Sequence, residues 1–305
     1  MAAEKSLVIN SNFCGTHAGQ YIAAALNQAK SLEYITLMEN IKFKQSLSVM
    51  TGGGDLVQNR SCDFTNLGGL ALNDKILQPK PLQVNYQICK EDLIKEWQAL
   101  QMKSGQWNTA MGADFSAFLI SHIAGIIGDS TETNIWAGVE ATAGQFGGFF
   151  EAFAADAPTL APAPTGGAYA VTTIIDDLAA LLAAVPTAVY SKAGEDLYMY
   201  MGVKAYRMYI SAISAAGYVN AYSMNNDYVP YFEGVKIALC PGMPDNNAVV
   251  AQQSNLFAGT DLLSDETEVR VLDMSTLDGS DQIRIIAKYT MGVQTGLASD
   301  ITWQK

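Results

Sequence analysis

Histidine is almost missing from this chain: there are two in 305 residues, His17 and His122. No His-Glu-x-x-His run occurs, and the four cysteines (Cys14, Cys62, Cys89, Cys240) include no Cys-x-x-Cys pair. Zinc spacing is therefore absent. Scattered thiols of this kind are expected to be buried and free rather than paired in disulfides. Neither Gly-x-Ser-x-Gly nor Ser-x-x-Lys is found, so the common serine-nucleophile arrangements are excluded. Gly52-Gly53-Gly54 is followed by Asp55-Leu56 rather than Lys-Ser/Thr; it reads as a flexible turn, not a phosphate loop. From Ser104 to Ser191, 88 residues pass without one lysine or arginine, and such a stretch cannot build a phosphate-binding surface from side chains. The strongest apolar helical run, Leu178 to Val185, stops at Pro186, far short of the roughly 20 residues that cross a bilayer. Residues 1–10 carry one acid and one base and no apolar core, so no signal peptide is read there. Synthesis in a cytoplasm is the expectation.

What is present is an ordered, acidic polypeptide. Hydrophobic residues make up 49% and charged residues 16%, with a net charge of −12 and a pI near 4.5. The first hundred residues hold nine bases and nine acids; residues 101–305 hold nine and twenty-one, and so carry the whole excess. That balance speaks against nucleic-acid binding by phosphate neutralisation. Asp176-Asp177 and Asp265-Glu266 read as solvated acidic pairs. Calcium at Asp261/Asp265/Glu266 is conceivable, but the EF-hand spacing with its central glycine is missing. No catalytic residue, cofactor-binding residue or metal ligand is assigned, and no cofactor is expected.

Along the chain the pattern is mixed. Residues 18–30 place Tyr21/Ile22, Ala25/Leu26 and Ala29 on one helical face. Ile41, Phe43, Leu47 and Val49 alternate with Lys42, Lys44, Ser46 and Ser48, a half-exposed strand running to Met50. Thr51–Asp55 is read as a turn, with Leu56–Phe64 returning as the second strand of a ribbon. Such a ribbon is marginal alone in water and needs something outside itself to hold it. Short strands are expected near Leu70 and over Leu82–Ile88, then a helix over Glu91–Lys103 stopped at Gly105. Asp114 is the N-cap of the next helix, whose Phe115, Phe118/Leu119, His122/Ile123 and Ile126/Ile127 form a continuous stripe to about Trp136. His122, on that stripe, is expected to be a hydrogen-bonded core residue rather than a base or ligand. Gly144 and Gly147-Gly148, among Phe146, Phe149 and Phe150, read as a bend or close packing. Ala154–Tyr169, rich in proline, is read as a loop or boundary. Further elements are a helix opened by Thr173-x-x-Asp176 and closed by Pro186, a strand Asp196–Met201, a helix Val203–Ala216 with Gly217 behind it, and a strand Gly234–Cys240. Glu268–Met274 and Gln282–Tyr289 flank Asp278-Gly279 as an antiparallel hairpin. No internal repeat is found. The class is α+β.

The order of these elements carries a resemblance. Ile41-Lys-Phe-Lys44, a long ribbon, Val84-Asn-Tyr-Gln-Ile-Cys-Lys-Glu-Asp-Leu93 and a long helix ending near Trp136-Ala-Gly138 look like a tailed-phage major capsid protein of the HK97-like fold. The likeness is greatest to capsid proteins of Bacteroidetes-type phages. Gly234-Val-Lys-Ile-Ala-Leu239, Met243-Pro244, Asn255-Leu-Phe257, Gly259-Thr-Asp261 and Ser264-Asp265 match as well. The resemblance spans about residues 15–303 and rests on element order rather than on an invariant signature.

It implies an N-terminal arm over 1–40, an extended E-loop over 41–75, and a P-domain over 76–169 that contains the spine helix 114–136. It further implies an A-domain over 170–242 and C-terminal P-domain strands over 243–305. The implied role is structural and not enzymatic: self-assembly into hexamers and pentamers of an icosahedral head in the virion, enclosing double-stranded DNA and built in the host cytoplasm. Implied partners are other copies of the chain, a portal protein and separate scaffolding and decoration proteins. Packaged DNA would be contacted only weakly, because acidic residues partly lining the inner wall would repel it. No membrane is involved. No long N-terminal scaffolding segment is present, so scaffolding would fall to a separate protein or to none. Lys42 and Lys44 lie where relatives place a cross-linking lysine, but no partner Asn or Glu is singled out. The alternatives are an encapsulin-like nanocompartment shell, an acidic soluble enzyme of unrecognised type, and a tail-tube or decoration protein.

Overall fold

The structure is a computed structural model that describes residues 29–53, 59–60, 62, 69–89, 113–193, 195–217, 231–260, 269–274 and 278–305. In chain order a short 3-10 turn (Lys30–Tyr34) leads to β1 (Thr36–Met38), β2 (Gln45–Gly53), β3 (Gly69–Leu77) and β4 (Lys80–Cys89). The helices α1 (Ala113–Ala137) and α2 (Phe149–Asp156) follow, then β5 (Thr159–Leu160), α3 (Ile174–Ala183), α4 (Thr187–Tyr190), β6 (Leu197–Met201) and α5 (Val203–Ala215). The rest is strand: β7 (Tyr231–Phe232), β8 (Val235–Leu239), β9 (Ala248–Gln252), β10 (Leu256–Gly259), β11 (Val269–Asp273), β12 (Gln282–Thr295) and β13 (Thr302–Gln304).

These strands form three sheets. One runs β5-β13-β9-β6-β8-β7; a second runs β1-β10-β12-β11, with β4 also on β12; the third is the two-stranded ribbon β2-β3. The six-stranded sheet is buried on both faces, which explains why LYMYM and AVVAQ read as nearly continuous apolar runs. Leu197, Met199 and Met201 of β6, with Ala248 and Val250 of β9, face one core together with Ile174, Leu178, Leu181 and Leu182 of α3. Tyr200, Val249 and Ala251 point the other way, into a second core with Trp136, Phe149, Ile283 and Ile285. The two-residue side-chain period of a strand thus divides one sheet between two cores.

The long helix is where the sequence places it. Its 25 residues span about 37 Å at 1.5 Å per residue. Ile123, Ile127, Ile135 and Trp136 are buried and His122 is half-buried, while Ile126 points outward. The Trp136 ring lies 5.4 Å from Phe149 and 5.5 Å from Tyr200, and Phe150 stacks on Trp303 at 5.2 Å. The helix ends at Gly138 because the chain returns there against itself. A Cβ at Gly138 would stand 2.3 Å from the Phe146 carbonyl oxygen, and Gly148 N–H donates to the Gly138 carbonyl at 2.9 Å. Only glycine fits such an approach.

Several expectations need correction. The ribbon starts at Gln45, not Ile41, and its return strand is Gly69–Leu77 rather than Leu56–Phe64. Ile41 turns inward instead: it is buried, and its Cδ1 and the Cδ2 of Leu77 approach Gly259. Residues 154–169 are not all loop, because α2 continues to Asp156 and β5 pairs in parallel with β13. The thiols are only partly buried: Cys240 is enclosed, whereas Cys62 and Cys89 are exposed. The closing hairpin agrees with its reading, with Gly279 at φ +74° in the turn, and β12 runs on to Thr295 to pair with β10 as well. The helices expected over 18–30 and 91–103, together with His17, Cys14 and the Asp261/Asp265/Glu266 group, lie outside the described residues apart from residues 29 and 30.

Candidate assembly surface

The ribbon β2-β3 is the feature that its own fold does not finish. Its strands pair antiparallel from Gln45↔Leu77 to Gly53↔Gly69. Alternate residues therefore divide between two faces. Leu47, Val49 and Lys75 are half-buried on one face, and Leu77 at the root is fully buried. On the other face Met50 (63% exposed) stands opposite Leu72 (65%), and Ile76 (53%) lies nearer the root. Phe43, in the lead-in, is 68% exposed. Three large apolar side chains of the ribbon, and Phe43 just before it, are thus exposed, the kind of patch that marks an interaction surface. Between them sits one polar pair, Ser48 donating to Asp74 at 2.9 Å.

The root is held firmly. Lys75 Nζ reaches Asp156 at 2.5 Å and Thr295 Oγ1 at 3.0 Å, and Thr295 Oγ1 donates to the same carboxylate oxygen at 2.6 Å. Gln294 Nε2 donates to the Ile76 carbonyl at 3.0 Å. These contacts tie the root of the ribbon to α2 and β12.

A second arrangement fixes the segment leading into the ribbon. Glu132, fully buried on α1, accepts from Ser31 N–H (3.0 Å), Ser31 Oγ–H (2.6 Å) and Gly242 N–H (3.1 Å). Ser31 Oγ in turn accepts from Trp136 Nε1–H at 2.8 Å. Tyr200 O–H donates to the Tyr34 carbonyl at 2.6 Å. Burial pushes the Tyr200 phenol well above its ordinary value and the Cys240 thiol likewise. Both groups are sealed from solvent and held neutral, the opposite of what a reactive thiolate or phenolate needs. Among the described residues no group of three His, Cys, Asp or Glu is placed to hold a metal ion. No described helix is long and apolar enough to cross a membrane.

Sequence reasoning found Met50's strand but missed Leu72 and Ile76, because it sought the return strand too early. Their alternation with Ala71, Asn73 and Lys75 was the available signal. It missed Glu132 and Ser31 altogether, since their meeting is 101 residues apart in the chain.

Comparison with solved structures shows what this arrangement of a ribbon, a long helix and two larger sheets is similar to. A chain of Gordonia phage Cozz superposes with a TM-score of 0.63 at 11% identity, covering 96% of this chain and 91% of that one. The capsid of a native GTA particle gives 0.57 at 14% identity, covering 100% and 97%. The procapsid of satellite phage P4 gives 0.52 at 10% identity, covering 90% and 93%. The fold is α+β and HK97-like. No protein-family model and no curated protein matches the sequence.

Proposed function

We propose that this protein is the major capsid protein of a tailed phage, self-assembling as hexamers and pentamers into an icosahedral head that encloses double-stranded DNA. The observation that carries the reading is the outward apolar face of the ribbon, which has no covering within its own protomer among the described residues. A neighbouring copy supplies that covering, and because the ribbon's root and its seat are different surfaces the contact is heterologous and propagates. Obligate contacts of this kind commonly bury about 2,000 Å² or more, well beyond what the ribbon alone offers, so other surfaces share the work.

On this reading 1–40 is the N-terminal arm, 41–75 the E-loop, 76–169 and 243–305 the P-domain, and 170–242 the A-domain, whose sheet also takes β9 and β13. The runs Gly234–Leu239 and Asn255–Phe257 favour relatives among Bacteroidetes-type phages. Assembly takes place in the host cytoplasm, with a portal and separate scaffolding and decoration proteins as partners. The test is negative-stain microscopy of the protein expressed alone and of its Met50→Ser/Leu72→Ser variant. Closed shells from the parent and small unjoined oligomers from the variant are expected. A parent that remains monomeric, or a variant that builds shells of normal diameter, overturns the reading.

A further inference from the structure

Two unsatisfied patches on the 170–242 domain match each other in chemistry and cannot meet within one molecule. The first is an open cleft of about 520 Å³ beside the start of α5, walled by Val203, Met208, Met243 and Val171. Lys204 crosses its rim to Asp245 at 3.0 Å. Arg207 also lines it, exposed, and its guanidinium has no ion-pair partner among the described residues. The same long stretch that lacks bases makes this arginine notable: between residues 104 and 217 only Lys192, Lys204 and Arg207 are basic.

The second patch is at β7, the terminal strand of the six-stranded sheet among the described residues. Tyr231 is 48% exposed and Tyr190 is 38% exposed, the latter donating its O–H to the Glu233 carbonyl at 2.8 Å. Phe232 and Val235 pair across a two-residue loop, Glu233-Gly234, with φ of +45° and +84°. Both central residues of this tight turn are left-handed, a conformation that favours Asn-Gly or Gly-Gly. Glutamate there is strained for a long side chain, and such strain persists at sites where the side chain has a use. Its carboxylate is exposed and carries no partner among the described residues.

The two patches point apart. Tyr209 donates to the Tyr231 carbonyl at 2.9 Å, so β7 lies on the Tyr209 side of α5. Arg207, two residues earlier, is turned roughly 200° from Tyr209 around the helix at about 100° per residue. A cation on one side, in a cleft of mixed lining where Ser211 and the Lys204–Asp245 pair join the apolar side chains, therefore faces away from an anion flanked by two tyrosines on the other.

We propose that Arg207 in the cleft of one copy receives Glu233 of the next, with the Tyr231 and Tyr190 rings packing against Val203 and Met208. Copies joined this way run head to tail and close into rings. Arginine and tyrosine are the residues that dominate protein interfaces energetically, and the charge pair fixes which copy-to-copy orientation is adopted. This rests on the shell reading and names the ring contact within it.

The test is charge exchange, read by sedimentation of capsomers and by microscopy of shells. Arg207→Glu and Glu233→Arg singly raise the protein concentration needed for half-assembly at least about tenfold, the effect of removing one central interface pair. Combining them restores assembly. Glu233→Asn separates the contact from the fold: the protomer melts no lower, because asparagine suits the turn, yet assembly weakens. Rings or shells formed equally well by parent and Arg207→Glu overturn this pairing and leave the shell reading standing. So does a double exchange that restores nothing. A parent that never leaves the monomer overturns both.

Discussion

The buried carboxylate of Glu132 lends itself to a worked perturbation. It has no cation among its hydrogen-bond partners; its charge is met by three neutral donors, two from Ser31 and one from Gly242. Glu132→Gln keeps the shape but only one oxygen. If that oxygen replaces Oε1, it retains Ser31 Oγ–H and Gly242 N–H while the new amide N–H₂ faces Ser31 N–H, donor against donor. If the amide turns over, two bonds are lost instead of one. Leaving a buried donor unmet costs about 1–3 kcal/mol, so the substitution is expected to lose that much at least. Ser31→Ala removes the hydroxyl that gives to Glu132 and receives from Trp136 Nε1–H. It orphans one buried indole donor, again about 1–3 kcal/mol. Because both variants damage one network, the double variant is expected to fall short of their sum by about 0.5–3 kcal/mol. Urea unfolding of the purified protein at fixed concentration gives all three values. Single-variant losses below about 0.5 kcal/mol, or strict additivity, refute the idea that this carboxylate organises the junction of the 30–34 turn, α1 and the 240–247 loop.

Lys75→Met removes the ion pair at the ribbon root; with side-chain exposures of 23% and 25% the pair contributes at most about 1 kcal/mol. Amide exchange over 45–53 and 69–77 should quicken by up to about fivefold while the body is unchanged, and equal exchange refutes the tie. Alkaline pH is expected to destabilise the protomer in two stages. Burial raises the Cys240 thiol from an ordinary 9.0, and it raises the Tyr200 and Tyr169 phenols from 10.0, Tyr169 with help from Asp177. The unfolded chain loses these protons first, so the stabilisation is full below pH 9, declines as pH rises through 9, and declines more steeply past 10. Cys240→Ala should move the onset from about 9 to about 10; an unchanged onset in a pH series of melting curves counts against that assignment.

The parts legible in the sequence were those that local chemistry determines. The extent of α1 follows from an apolar stripe and Gly138, although Asp114, read as its cap, lies inside the helix; α5 ends at Ala215 before Gly217; Asp278-Gly279 marks its own turn. The ribbon was visible as a ribbon, but its register depends on its root, where Leu77 and Ile41 close over Gly259, a meeting that no local window contains. The half-exposed pattern of Phe43 and Val49 suggested one apolar face; the structure distributes apolar residues over both, with Met50, Leu72 and Ile76 outward. The Ser31–Glu132–Trp136 junction and the Arg207 cleft are products of tertiary placement. A lone serine, a lone glutamate and a lone arginine carry no periodic signal.

The position of β13 between β5 and β9 has a consequence in time. Residues 302–304 fill the gap between strands made from 159–160 and 248–252, so the larger sheet stays open until translation reaches them. At about 5–20 residues per second the ribosome takes roughly 10–45 s to travel from Leu77 to Gln304. For that interval a nascent chain displays the apolar face of its ribbon without a finished sheet behind it.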